Sequence, residues 1–334
     1  MLPNYKFTLS PMAGLTNSPY RLLCQGFYDQ VFLISEMVNA RSLVENNPKA
    51  KSLAYFSPKE KYRCIQIFSK FPNDIASAVN LIVENNLADQ IDLNFGCPVK
   101  KITKSGGGAM IPANKSLYSK IIAEAVKVAN GKVPITVKLR LGIDESNITY
   151  IQAGLIAEDL GCKMVTLHAR YLKQMYKGQA DWSKIADLKK RLSIKVFGNG
   201  DIKTPNDAKK AFDLTGVDGI AVGRGALGRP WIFASIAQTI GLTDLATNLS
   251  SVLTTEFDKL DRILQIKAYK QINYLILQQA NMLIDYFDSE LLAIKNLRKY
   301  LIWYFKGYSI GRNVRAKLVR VQTLFELKQI LGEL

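Results

Sequence analysis

Histidine is nearly absent from this chain: His168 stands alone among 334 residues. That excludes a metal centre built on imidazole ligands. Cysteine is sparse too. Cys24, Cys64, Cys97 and Cys162 lie far apart, without the paired C-x-x-C spacing of a zinc site or the density of a disulfide framework. No stretch approaches the roughly eighteen apolar residues of a membrane-spanning helix, and residues 1–7 lack the apolar run of a signal peptide. The chain reads as a reduced, cytoplasmic protein with no membrane and no metal to serve.

Acid is short as well. Against 45 Lys and Arg stand 28 Asp and Glu, a formal net charge of +17. Such a surplus produces a positive field suited to a polyanion. The surplus is clustered. Over 295–328 the bases are Lys295, Arg298, Lys299, Lys306, Arg312, Arg315, Lys317, Arg320 and Lys328, and the sole acid is Glu326. Tyr300, Trp303, Tyr304, Phe305 and Tyr308 are interleaved with them. Bases that track a phosphate backbone, with aromatics for stacking, are the pattern of a nucleic-acid surface, although a helical core claims some of those rings.

What is present in quantity is short apolar runs rich in β-branched residues. Eight occur, at 7–11, 31–36, 63–67, 90–95, 135–141, 164–168, 195–198 and 219–222. Amphipathic segments lie between them, among them 73–85, 117–128, 148–160 and 205–212. Strand and helix alternating eight times is the outline of an α/β protein, a (β/α)8 TIM barrel. An open doubly wound sheet is the runner-up. It would want a glycine-rich turn after the first strand, where this chain has Pro11-Met12-Ala13-Gly14. From about 243 onward only helical periodicity remains, at 257–264, 272–287, 291–303 and 314–331. A barrel over 1–242 and a small all-helical domain over 243–334 are expected.

The C-terminal strand ends of such barrels build the active site. Here they carry Pro11, Met12 and Ala13, then Glu36, Gln66, Asn94 with Cys97, Lys138 with Arg140, His168, Asn199-Gly200-Asp201, and Gly223-Arg224. In the run Ile135 to Leu141 the apolar residues take one face, and Thr136, Lys138 and Arg140 take the other, toward the barrel interior. A lysine there needs an anionic or electron-rich partner. Glycines after strands seven and eight, with Arg224, suit a phosphate. A phosphate anchor, a lysine, a glutamine and a histidine around one mouth fit a phosphorylated planar cofactor. Flavin mononucleotide (FMN) fits better than a sugar phosphate, because no paired carboxylates offer isomerase chemistry. Cys97, presented beyond strand 90–95 between Gly96 and Pro98, is placed for proton or nucleophile chemistry.

These stretches together resemble the tRNA-dihydrouridine synthases: Ser10-Pro11-Met12-Ala13-Gly14, Asp92 to Pro98, Val137 to Gly142, Asn199-Gly200-Asp201 and Gly223-Arg224-Gly225. His168-Ala169-Arg170, Gln174 to Gly178, Ala180-Asp181-Trp182 and the tail Arg298 to Gly307 extend the likeness nearly end to end. The resemblance implies an FMN-containing barrel followed by a helical domain that holds tRNA. It implies that Pro11, Met12, Ala13, Gln66, Lys138, His168, Asn199, Gly200, Asp201, Gly223 and Arg224 bind the flavin. It makes Cys97 the proton donor to a D-loop uracil, with a thiol that is not strongly acidified, and Asn94, Arg140 and Tyr176 uracil or RNA contacts. NADPH is the implied reductant and a monomer the expected state. Tyr300 departs from the histidine expected in related tails, a difference that bears on tRNA docking. Two other functions compete: an FMN barrel dehydrogenase acting on a small molecule, and an RNA-binding protein on a retained barrel. The basic tail weighs against the first, and the joint presence of Gln66, Cys97 and Lys138 against the second.

Overall fold

The computed structural model describes residues 1–242 and 262–334. The chain divides into two compact units, Met1–Asn17 with Gln30–Gly223, and Ser18–Asp29 with Arg224–Leu334. The boundary expected at 242/243 coincides with the edge of the described residues, and most of the helix expected over 257–264 lies outside them.

In the first unit, one parallel sheet contains β1 (Phe7–Leu9), β2 (Val31–Ile34), β3 (Val38–Asn39), β4 (Arg63–Phe68), β5 (Gln90–Phe95), β6 (Ile135–Arg140), β7 (Met164–His168), β8 (Lys195–Asn199) and β9 (Gly219–Val222). β3 is a two-residue addition alongside β4. The other eight close on themselves, because β1 pairs with both β2 and β9, and β2 pairs with β4 through Leu33↔Arg63 and Ile34↔Cys64. The closure makes this a TIM barrel and rules out the open sheet. β1 and β2 stop two residues short of the expected ends. Pro11 has no N–H to continue the ladder, and the last bonds come from Ser10 N–H to Val222 O (2.9 Å) and Ser35 N–H to Cys64 O (2.9 Å).

Every residue of β1, β2, β5, β6 and β9 is buried, as a parallel sheet covered outside by helices requires. Alternation sorts their side chains. Phe95 turns outward, its ring 4.7 Å from that of Tyr118 on the helix Lys115–Ala129. Asp92 and Asn94 turn inward, where they meet Gln66 and Thr136 from the neighbouring strands. Phe32, Met164 and Phe197 fill the interior toward the strand beginnings, and Leu2, Tyr5 and Tyr62 pack against them. That end is solid and apolar, so the polar side chains concentrate toward the opposite mouth.

The second unit is helical: Ser18–Phe27, Ile232–Thr239, Arg262–Phe287, Glu290–Tyr304, Arg312–Leu318 and Leu324–Gly332. The single helix expected over 314–331 is two. Thr323 caps the second, its hydroxyl accepting from Glu326 N–H at 3.1 Å, and Glu326 accepts from Gln322 N–H at 2.7 Å. The aromatics of the tail divide. Tyr300, Tyr304 and Phe305 are core, with the Tyr300 ring 4.9 Å from that of Tyr20, whereas Trp303 and Tyr308 keep partial exposure. Gly228 has φ +66°, and a Cβ there would lie 2.3 Å from the backbone of Trp303 and Tyr304, so the two segments approach as only glycine permits. No helix among the described residues is long and apolar enough to cross a membrane.

Candidate active site

Lys138 lies inside the mouth, 9% exposed, and its Nζ donates to Asn199 Oδ1 at 3.2 Å. The Asn199 amide nitrogen in turn donates to Ala221 O (2.6 Å) and Ser10 Oγ (3.2 Å), which fixes the carboxamide with its oxygen toward the lysine. Burial pulls the Lys138 ammonium down to about 8, Arg140 adds to the fall, and Asp92 opposes it. Next to Lys138 in register, Asn94 turns its oxygen to the N–H groups of Gly96 (3.1 Å) and Cys97 (2.9 Å). Its amide nitrogen donates to Gln66 Oε1 at 2.7 Å, and Gln66 Nε2 donates to Asp92 Oδ2 at 2.7 Å. Asp92 also accepts from Thr136 Oγ1 at 2.7 Å. Burial pushes the Asp92 carboxyl up, against the lowering effect of Gln66, Thr136 and Lys138.

Cys97 is 7% exposed at the start of the loop that leaves β5. Burial raises its thiol above the ordinary value, outweighing a backbone hydrogen bond from Val99 and the charge of Arg140. The loop turns back on itself, Ala109 N–H donating to Cys97 O at 3.2 Å. Gly108 makes this possible: its φ is +57°, and a Cβ would lie 2.7 Å from Cys97 O.

Arg140 joins two loops. Its Nε donates to Gly96 O (2.9 Å), and one terminal nitrogen donates to Tyr171 O (3.1 Å) and Met175 O (2.9 Å). The guanidinium carbon lies 5.6 Å from the ring centre of Tyr176, which is 52% exposed. Burial draws the Arg140 pKa down to about 10. The loop after β7 has its own anchor in Arg170, 1% exposed, which donates to Lys177 O and Gly178 O and pairs with Asp201 at 2.6 Å. Asp201 also accepts from Ala180 N–H at 2.7 Å. Its carboxyl lies below the ordinary range: burial raises it, but the bonds from Arg170 and Ala180 outweigh burial.

The residues expected from the sequence are therefore placed as follows. Gln66, Asn94, Lys138 and Asn199 share the interior of the mouth through the bonds just given. Cys97, Arg140, His168 and Tyr176 follow on its loops and strand ends, with the His168 ring 6.4 Å from that of Tyr176. Pro11 and Met12 are half-buried in the loop after β1, and Ala13 is exposed. Thr16 Oγ1 holds Met12 N–H at 2.9 Å, and Glu36 accepts from Gly14 N–H. Gly200 lies between Asn199 and Asp201, its carbonyl accepting from Trp182 Nε1 at 3.0 Å. Gly223 ends the first unit, and Arg224 opens the second at the short turn Arg224–Ala226, its side chain exposed. Sequence reasoning missed the parts played by Asp92, Thr136 and Arg170. Inward parity on β5 and β6 was the available signal for the first two. Arg170, beyond β7, stood in the His168-Ala169-Arg170 stretch of the resemblance but without a partner to suggest its part. Among the described residues no cluster of His, Cys, Asp or Glu is arranged to hold a metal ion.

The donor set suits a flavin. A buried ammonium with three hydrogens has one hydrogen-bond acceptor among the described residues, so it can serve the electron-rich pyrimidine edge of an isoalloxazine ring. Deeper in the barrel, the hydroxyls of Thr8 and Thr166 are buried without a hydrogen-bond partner among the described residues, so the interior is polar beneath the mouth as well.

A closed parallel barrel with a lysine, three carboxamides and a thiol at its C-terminal mouth defines a TIM-barrel oxidoreductase of the flavin-dependent kind. The family described as dihydrouridine synthase (Dus) matches residues 8–333. The chain belongs to that family. It is 36% identical to a probable tRNA-dihydrouridine synthase of Mycobacterium leprae (strain TN), over 98% of this chain and 87% of that one. To tRNA-dihydrouridine synthase B of Vibrio parahaemolyticus serotype O3:K6 (strain RIMD 2210633) it is 33% identical, over 92% and 88%. Among solved structures, a 2-naphthoyl-CoA reductase complex shares the fold at a TM-score of 0.53 and 12% identity, covering 70% of this chain and 50% of that one. A histamine dehydrogenase from Rhizobium sp. 4-9 does so at 0.52 and 11%, covering 83% and 49%. The chain thus spans about half of each of those two structures.

Proposed function

We propose that this chain is an FMN-dependent tRNA-dihydrouridine synthase that reduces the C5–C6 double bond of a D-loop uridine in the cytoplasm, with NADPH as reductant. The observation that carries the reading is the pairing of Cys97 and Lys138 through adjacent strands: Asn94, in register with Lys138, holds the loop that presents the thiol. When bound, the reduced flavin supplies hydride to C6 of the uracil. Cys97 gives its Sγ proton to C5. Its raised pKa keeps that proton on sulfur at neutral pH, which a general acid needs and a nucleophilic cysteine does not. Lys138 would hold the flavin through its ammonium, whose charge would stabilise the reduced ring. Gln66, Asn199 and the loops bearing Pro11, Met12, Ala13, His168, Gly200 and Gly223 complete the cofactor cradle, with Arg224 on its phosphate. Asp201, whose carboxylate is taken by Arg170 and Ala180, contributes through its backbone.

The uracil contacts are assigned to Arg140 and Tyr176. Arg140 keeps one terminal nitrogen outside its three carbonyl bonds, and Tyr176 is an exposed ring beside it. Asn94 supports them, its carboxamide being engaged at both ends. Residues 243–334 are assigned to tRNA binding, as a monomer. Lys295, Lys299, Lys306, Arg312, Arg320 and Lys328 are all exposed there, which suits contacts to phosphates in single-stranded and loop RNA. A uridine in a flexible loop leaves its stack at lower cost than one in a duplex, which favours the D-loop.

Incubation of the flavin-loaded protein with NADPH and tRNA lacking dihydrouridine, followed by mapping of reduced uridines, tests the reading. Reduction at a D-loop position is expected. NADPH oxidation without any reduced uridine would overturn it in favour of a flavin dehydrogenase acting on a small molecule.

A further inference from the structure

The hydrogen bonds beneath Cys97 have a fixed direction, which follows from the one end that cannot turn. The backbone N–H groups of Gly96 and Cys97 only donate, so the atom of Asn94 facing them, at 3.1 and 2.9 Å, is its oxygen. The Asn94 nitrogen then faces Gln66 at 2.7 Å, and the Gln66 atom that meets it is an acceptor. That leaves the Gln66 nitrogen aimed at Asp92 Oδ2, at 2.7 Å. Each amide orientation is thus dictated by the previous one, and the last partner has to accept. Gln66 is 0% and Asp92 1% exposed, so no solvent relieves a wrong orientation.

We infer that Asp92 is a positioning residue for Cys97, acting through Gln66 and Asn94 to hold the thiol-bearing loop in place. An acceptor at position 92 satisfies the Gln66 nitrogen and holds that side chain against Asn94. Without it the nitrogen is stranded in the interior, Gln66 gives up its place to find another partner, and the Asn94 carboxamide that holds Gly96 and Cys97 loses its support. The loop is unlatched at Gly96 and Cys97. The lower side of Asp92 is fixed as well, by Thr136 Oγ1 at 2.7 Å, itself an acceptor for Gln90 Nε2 at 2.8 Å. The inference deepens the proposed function and rests on it for its catalytic consequence, but not for the position of the loop.

Two substitutions at one site separate acceptor from charge. In Asp92→Asn the oxygen can meet Gln66 and the nitrogen can donate to Thr136 Oγ1, whose hydrogen has Ile91 O at 3.5 Å as an alternative acceptor. The direction of every bond above survives while the charge is lost. Asp92→Leu, of the same branched outline though bulkier, removes the acceptor. The readout is alkylation of Cys97 by iodoacetamide with FMN in excess, followed thiol by thiol by peptide mapping. Cys24, Cys64 and Cys162 serve as internal controls, being at most 1% exposed. Asp92→Leu is expected to speed alkylation of Cys97 about tenfold with the three controls unchanged, on the scale of one buried hydrogen bond to a charged group. Asp92→Asn should stay at the wild-type rate. If Asp92→Leu exposes all four thiols, Gln66→Leu, which cuts the same connection one step nearer the loop, is expected to expose Cys97 alone. The inference is overturned if neither leucine variant opens Cys97 selectively, or if Asp92→Asn opens it as much as Asp92→Leu. Selective opening with undiminished uridine reduction would uphold the latch and count against Cys97 as proton donor, so the two readings fail separately.

Discussion

The ammonium of Lys138 donates to the carboxamide oxygen of Asn199 at 3.2 Å, and no other hydrogen bond of that ammonium is found among the described residues. A cation so buried and so sparsely paired is held against its solvation preference. Its cost is recovered only when an electron-rich group enters the mouth, so the site is arranged for a ligand more than for the stability of the empty fold.

That arrangement has a pH signature in the flavin-free protein. The folded pKa of Lys138, about 8, lies below its ordinary 10.5, so the folded state loses the proton first. The penalty for burying the charge is fully present below about pH 8 and disappears as pH rises toward 10.5. Lys138→Met should therefore be more stable than wild type at pH 7, by about 3 kcal/mol. The difference should shrink toward zero across that window in urea unfolding followed at several pH values. A constant difference would mean that Lys138 is not desolvated. The same variant should fail to hold flavin or to reduce it with NADPH.

Cys97→Ala is expected to leave flavin reduction by NADPH intact and to slow uridine reduction at least about a hundredfold, the usual worth of a positioned general acid. Stopped-flow bleaching of the flavin, followed by its reoxidation with tRNA, separates the two half-reactions. Because burial raises the thiol above its ordinary value, the second half-reaction should stay on a plateau through neutral pH and fall only in the alkaline range. A rate that instead rises with pH toward a plateau would mark a thiolate nucleophile.

Gly108→Ala tests how closely the Cys97 loop is folded on itself. The added Cβ would lie 2.7 Å from Cys97 O, a backbone atom with no room to yield, at a φ of +57° that costs an alanine about 1 kcal/mol by itself. The variant should lose about 2 kcal/mol of stability and retain less uridine reduction than that loss explains. Calorimetry and the reoxidation rate together check this. Full activity would show that the loop carbonyl does not set the thiol.

Much of this was legible in the residues, and the parts that were not have physical reasons. The strands β5, β7 and β9 run over the residues read from their apolar patterns, because buried parallel strands are short, apolar and bounded by turns. Lys138 was placed inside the mouth by parity alone. The same parity applied to Asp92 and Thr136 would have pointed to the network beneath Cys97, but the Asp92 to Pro98 stretch drew attention to its thiol and not to the acid that opens it. Arg170 was illegible for another reason: its partners Asp201, Lys177 and Gly178 come from two loops whose approach only the closed barrel determines. The break near Thr323 was readable from Thr323-x-x-Glu326, a start signal hidden inside continuous helical periodicity. The interleaved aromatics of the tail could not be apportioned between core and surface until helix packing assigned Tyr300, Tyr304 and Phe305 inward.

Asp201→Ala leaves Arg170, 1% exposed, without its carboxylate. Stranding a buried guanidinium is among the more damaging single changes, moderated here because Asp201 is 21% exposed and water can reach the gap. A loss of about 2–3 kcal/mol is expected near neutral pH. The carboxyl titrates below its ordinary 3.8, so this contribution is complete above that value and is lost as pH falls through the lower folded value. Wild type and variant should therefore converge in acid. Unfolding curves at neutral pH and in acid measure the convergence, and a gap independent of pH would assign the loss to packing instead.

The basic residues of the second unit divide into two kinds, and RNA binding should respond to only one. Arg312 and Arg320 are exposed, whereas Arg315 is half-buried and donates to Tyr308 O at 3.0 Å and to Phe305 O at 3.5 Å. Arg298 is likewise committed, to Val321 O at 2.5 Å and Arg320 O at 3.1 Å. Neutralising Arg312 and Arg320 together should raise KM for tRNA, leave flavin reduction untouched, and lower the slope of log affinity against log salt by about one per contact removed. Arg315→Ala should instead cost about 1 kcal/mol of stability, the worth of the carbonyl bonds it releases, with little change in that slope. Titrations of tRNA at several salt concentrations, alongside thermal unfolding, distinguish the two. If Arg315→Ala changed the slope as much as the exposed pair does, the backbone bonds would not be its main commitment, and all three arginines would have to be counted as phosphate contacts.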